Sequence, residues 1–116
     1  MVTFEMFRNL ALSLPETREL PHLEKISYRI GTRIFATYNP PNNQACLKLS
    51  AREQDALVAA YPHYIYPVNN TWGKQGWTLF EIDQVSTTLF SQALKQAYCQ
   101  VAPKKLAASI LQNTHL

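Results

Sequence analysis

Phe4, Phe7, Leu10, Ala11 and Leu14 recur at three- and four-residue steps, the period of one helix face, and Thr3 precedes them with a hydroxyl suited to capping. Pro15 biases Leu14 away from helical dihedrals, so the spacing predicts a helix over Thr3 to Ser13. The period then changes to two. Ile26, Tyr28 and Ile30 alternate with Lys25, Ser27 and Arg29, Gly31-Thr32 supplies a turn, and Arg33 to Tyr38 runs back as a hairpin. A two-residue turn pairs Tyr28 with Phe35 and sets Arg29 opposite Ile34, so that neither face is purely apolar. A three-residue loop would gather Ile26, Tyr28, Ile34, Ala36 and Tyr38 on one side, because a slip of one residue exchanges the faces. The shorter turn is expected: Gly leads the type II′ class, and an aromatic cross-strand pair is favourable.

Asn39 to Gln44 is a loop by composition, after which Ala45, Leu47 and Leu49 alternate with Cys46 and Lys48 as a third strand of the meander. Ser50-Ala51-Arg52-Glu53 has the form of a capping box and opens a short helix that ends near Tyr61, before Pro62. Tyr64 to Val68 is a candidate strand and Asn69 to Gly76 a loop. Trp77 to Ile82, with large apolar residues on both faces, reads as a central strand. Leu89, Phe90, Ala93, Leu94, Ala97, Tyr98 and Val101 form one stripe of a helix whose other side carries Gln92, Lys95, Gln96 and Gln100. Pro103 suits the first position of a final helix through about Leu111. Helices at both ends of a run of antiparallel strands predict an α+β two-layer sandwich, with a short inserted helix and at least part of one sheet face open.

At 116 residues the chain has the size of one domain, expected to span 1–116. With 47% hydrophobic and 16% charged residues it is expected to be a compact globule and not a disordered tail. Pro, Lys, Gln and Asn break every apolar stretch short of the ~20 residues that a bilayer crossing needs. The first fourteen residues carry Glu5 and Arg8 and lack the organisation of a signal peptide. Cys46 and Cys99 match no disulfide or metal-ligand spacing, which fits a reducing cytoplasm. The formal charge of +3 permits nucleic-acid contact without demanding it.

The stretch Pro21 to Ala36, Trp72-Gly73-Lys74-Gln75-Gly76-Trp77-Thr78 and Ala97 to Leu106 resemble, in order and spacing, three signatures of the MmcQ/YjbR family. The resemblance covers most of the chain. It implies a fold similar to that of the bacterial frataxin homologue, described in this family as a double-wing DNA-binding arrangement. The usual Gly-His-Pro appears here as Leu20-Pro21-His22, and Thr32-Arg33 stands where Gly-Lys is common, which weakens any role for His22. Frataxin-type proteins hold iron with crowded carboxylates on the first helix and the adjoining strand. Here that helix offers Glu5, with Glu16 and Glu19 beyond it and Arg8 and Arg18 between, so the fold is expected without the metal function.

His22, His63 and His115 lie far apart and have no partner at ligand spacing, and no Ser or Cys stands in a nucleophile motif. Glu81 and Asp83 read as a solvated strand end rather than an acid/base couple. Neither a catalytic site, a metal nor a cofactor is expected. In Trp72 to Trp77, two glycines could let the backbone approach a phosphate while Lys74 adds charge and the indoles stack on bases. The bland alternative is a tight turn with core tryptophans. Lys104 and Lys105 oppose the helix dipole at the start of the last helix, a conflict that an anionic partner would relieve.

The leading expectation is therefore a non-enzymatic module that binds DNA with little sequence specificity. The hairpin Lys25 to Tyr38 and the loop Asn69 to Gly76 would act as wings. Arg29, Arg33, Lys48, Arg52, Trp72, Lys74, Lys104 and Lys105 would form the contact surface. The alternative is an adaptor that binds a protein or small ligand on the open sheet face through Tyr64, Tyr66, Trp72 and Trp77. Either way the domain is expected in the cytoplasm, off the membrane, as a monomer or weak dimer.

Overall fold

In the computed structural model, which describes residues 1–114 and the side chains through residue 110, Thr3 accepts a hydrogen bond from the Met6 amide and starts helix α1 (Phe4–Ser13). Strands β1 (Thr17–His22), β2 (Lys25–Ile30), β3 (Arg33–Asn39) and β4 (Gln44–Lys48) follow, then helix α2 (Ala51–Ala60). The remainder is β5 (Ile65–Pro67), a single helical turn α3 (Thr71–Lys74), β6 (Trp77–Glu81), α4 (Thr87–Val101) and α5 (Lys104–Thr114). All six strands join one antiparallel sheet in the order β1-β2-β3-β4-β6-β5, so β6 lies inside the sheet as its two apolar faces suggested. His115, weighed above as a ligand, lies outside the described residues.

One face of the sheet is covered by helices. Phe7 of α1 packs on Tyr28, Tyr38 and Phe90, Phe80 of β6 meets Phe90 of α4, and Phe35 meets Tyr98 edge to face at 5.5 Å. These rings are buried, and the polar ends of the tyrosines are satisfied, as burial requires. Tyr28 donates to Glu19, which also pairs with Arg8 of α1 at 2.9 Å, and Tyr98 donates to the Pro15 carbonyl. Burial first, and then the bond to Glu19, raise the Tyr28 phenol above its ordinary pKa. At the far side of the same face the capping box Ser50–Glu53 forms in both directions and starts α2. Gln54 then buries its amide against the Gly73 carbonyl and the Thr78 hydroxyl, which fastens α2 to the sheet. α5 packs on α4.

The hairpin departs from the expected register. Its turn has two residues, with Ile30 opposite Arg33 and Gly31 alone at positive φ (+63°), as a type II′ turn requires. Tyr28 nevertheless pairs with Ala36 and not with Phe35, because a bulge beyond Arg29–Ile34 leaves Phe35 as an extra residue in β3. The inserted residue restores the parity. Ile26, Tyr28, Ala36 and Tyr38 share the covered face, and Ile34 lies opposite Arg29 on the other. Two further elements differ from expectation. Thr17–His22 is an edge strand where none was predicted, and the loop Asn69 to Gly76 contains the helical turn α3. No helix among the described residues is long and apolar enough to cross a membrane.

Candidate functional site

Alternation along the strands sends every second side chain to the face that α1, α2 and α4 leave uncovered. From β1 and β2 these are Arg18 opposite Arg29, Leu20 opposite Ser27 and His22 opposite Lys25. β3 and β4 add Ile34 and the pair Thr37 and Cys46. β4, β6 and β5 add Lys48 beside Trp77, Cys46 beside Leu79, Gln44 beside Glu81, and Tyr66. The middle sets half-buried Ile34, Cys46 and Leu79 beside the buried hydroxyl residues Ser27 and Thr37, and cations stand around it.

These cations have few competitors. The single ion pair among the described residues is Arg8–Glu19, on the covered side. Arg29 is held by neutral groups, its Nε donating to Ser27 Oγ at 2.8 Å and its Nη2 to the Pro21 carbonyl at 3.4 Å. Lys48 donates to the Gln75 carbonyl, and its ammonium lies 5.8 Å from the centre of the Trp77 ring, within cation–π range. Glu81, the carboxylate on this face, accepts hydrogen bonds from Tyr66 and from Gln44. The bond to Glu81, followed by burial, raises the Tyr66 phenol. Asp83 sits in the turn Ile82–Gln84 that follows β6. Burial pushes the Cys46 thiol up to about 11 against the opposing charge of Lys25, which places that lysine's field on the centre of the face.

The eight residues selected from sequence do not converge on one surface. Arg29 and Lys48 lie on the uncovered face. Trp72, 58% exposed, and Lys74 belong to α3, whose next residue, Gln75, is the one bound by Lys48; they border the Lys48–Trp77 corner. Arg33 stands at the hairpin tip opposite Ile30, on the covered side. Arg52 lines a cleft between α2 and α4, and Lys104 and Lys105 open α5 in the helix layer. Sequence reasoning missed Arg18 and Lys25 as members of the face. The signal was alternation through Arg18, Leu20 and His22, hidden by the absence of an apolar run.

The Trp72 to Trp77 segment is built otherwise than the phosphate-cradle reading required. A Cβ on Gly73 would lie 1.9 Å from the Val68 carbonyl oxygen, and one on Gly76 1.9 Å from that of Leu49. The glycines serve close approach of protein backbone to protein backbone. Their amides are already used, Gly73 donating to Asn70 and Gly76 to Gly73. The tryptophans are not core anchors either, Trp77 being half-buried on the uncovered face and Trp72 exposed.

Among the described residues no group of three or more His, Cys, Asp and Glu side chains could hold a metal. An antiparallel sheet with helices on one face and an unpartnered cationic, aromatic surface on the other defines an α+β protein built around an open sheet face. The YjbR family model matches residues 12–100, and the chain belongs to that family. The crystal structure of Deinococcus radiodurans protein DR2400, described as a DUF419 domain, is similar in fold. The likeness has a TM-score of 0.78 at 22% identity and covers 95% of this chain and 88% of that one. No curated protein matches the chain.

Proposed function

We propose that this YjbR-family chain binds nucleic acid across the uncovered sheet face, with little sequence preference and without catalysis. Arg18, Lys25, Arg29 and Lys48 neutralise phosphates, and Trp77, with Trp72 at the border, offers ring surface to bases. The observation that carries this reading is Arg18 directly opposite Arg29 with no carboxylate partner on either. Like charges facing each other across an antiparallel pair are destabilising. A polyanion lying over β1 and β2 turns that repulsion into attraction, whereas a structural role for the pair would call for an acid on one strand.

Four phosphate contacts give a slope of log affinity against log salt of about −3 to −4. Fluorescence anisotropy with labelled duplex and single-stranded oligonucleotides over a range of salt measures it. Absence of saturable binding at low salt defeats the proposal, and salt-independent binding favours an adaptor that holds a protein or small ligand on the same face through Leu79, Tyr66 and Trp77.

A further inference from the structure

The tip of the β1–β2 hairpin carries a leucine where turn chemistry calls for something else. His22 pairs with Lys25, so Leu23 and Glu24 form a two-residue connection, and Leu23 has a φ of +60°. An L residue with a branched side chain is strained in that left-handed region, which glycine and asparagine enter readily. Elsewhere this chain uses them there: Gly31 at +63° in the next hairpin and Asn43 at +52° before β4. Glu16, at +61°, is the other exception, in the turn between α1 and β1. Leu23 alone joins the strained backbone to a large apolar side chain left in water, 90% exposed. Neither property serves the fold, since the side chain touches no core.

Its surroundings suggest what it serves. Immediately behind the tip, on the uncovered face, stand His22 and Lys25, and farther along the same two strands Arg18 and Arg29. An arm whose shaft is cationic and whose tip is a bare apolar side chain has the organisation of proteins that grip the duplex backbone and push a leucine or phenylalanine between base steps. Glu24 beside the tip is the one charge that opposes such an approach.

We infer that Leu23 is a wedge: when the uncovered face takes up duplex nucleic acid, the β1–β2 tip inserts this side chain between bases and kinks the helix. This rests on the nucleic-acid reading of the sheet face. The left-handed backbone is the strain that projects the side chain away from the sheet. Phosphate neutralisation by the shaft anchors the arm while the apolar tip replaces base–base stacking.

The test compares the protein with Leu23→Asn, which suits the left-handed turn and removes the apolar tip without touching any cation. Both are titrated onto a duplex labelled at its two ends with a fluorescence donor and acceptor, over a range of salt. The wild-type chain is expected to bind and to raise energy transfer through the kink. Leu23→Asn is expected to bind about tenfold more weakly at the same salt slope and to leave energy transfer unchanged, while its melting temperature stays level or rises by about 4 °C as the strain is relieved. Glu24→Gln is expected to tighten binding severalfold. Equal affinity and equal energy transfer for wild type and Leu23→Asn overturn the wedge and leave binding by the face intact; failure of the wild type to bind any duplex overturns both. Loss, in Leu23→Asn, of wild-type binding to phosphatidylserine vesicles, with duplex binding unaltered, assigns the tip to a lipid surface and also overturns the wedge.

Discussion

Leu79 and Phe80 are neighbours in β6, yet they belong to different surfaces. Phe80 is fully buried, its ring 5.9 Å from that of Phe90, within a cluster that includes residues from α1, α4 and every strand but the edge strand β1. Leu79 lies beside Cys46 and Tyr66 on a face that no described helix covers. On the first face Arg8 pairs with Glu19, and the Tyr28 and Tyr98 hydroxyls are bonded, to Glu19 and to the Pro15 carbonyl. On the second, four cations stand without a carboxylate partner around a centre that mixes Ile34, Cys46 and Leu79 with Ser27 and Thr37. A sheet whose strands alternate with period two writes stability on one side and leaves the other free to be shaped by a partner.

The contrast is broken most directly by truncating each neighbour in turn. Phe80→Ala is expected to cost about 3–5 kcal/mol of unfolding free energy, as large-to-small changes in a packed core do. Leu79→Ala is expected to cost about 1 kcal/mol, in line with its partial burial. Urea denaturation measures both, and equal losses would mean that the second face is also a core.

Next in size is the response to charge removal. Replacing Arg18, Lys25, Arg29 and Lys48 together by Gln should reduce affinity for an oligonucleotide by two orders of magnitude or more near 0.15 M salt. Each single change should reduce the salt slope by about one. Lys104→Gln with Lys105→Gln, at the start of α5, should leave the slope as it is. Anisotropy titrations decide whether the face or the helix layer carries the interaction.

A smaller effect sharpens the picture of the uncovered face itself. The Cys46 thiol, ordinarily near 9.0, is pushed up to about 11 by burial. The folded state therefore favours the neutral thiol, and the stabilisation is fully present below pH 9 and is lost as pH rises through 11. Cys46→Ala should flatten that part of the alkaline decline in stability, with the remainder due to raised tyrosines such as Tyr28. Lys25→Gln should move the thiol higher still, because the lysine's charge favours the thiolate. Thermal melts over this pH range, with thiol titration by absorbance, follow both.

The elements with strong periodicity were legible in the chain itself. The stripe from Leu89 to Val101 and the Ser50–Glu53 box appear where their spacing places them. β1 was not legible, because an edge strand paired on one side with a proline inside it needs no apolar alternation. Nor was the bulge at Phe35, a tertiary response to the demand that Phe35 and Tyr28 both face the helices. The candidate face was half-legible. Arg29 and Lys48 were visible as strand cations, and Lys25 lies in step with Arg29 along β2, but Arg18 joins them only once β1 is known. The two glycines near Trp77 misled, since the need for close backbone approach looks the same in sequence whether the approaching group is a phosphate or the chain's own carbonyl.

Titration of an isotopically labelled chain with an oligonucleotide, followed by amide chemical shifts, tests the assignment of the two faces most directly. Shifts concentrated at Arg18, Ser27, Arg29, Thr37, Lys48 and Leu79, with α4 and α5 quiet, are the expected result. Shifts confined to α4 and α5, or none under low-salt conditions, would contradict it.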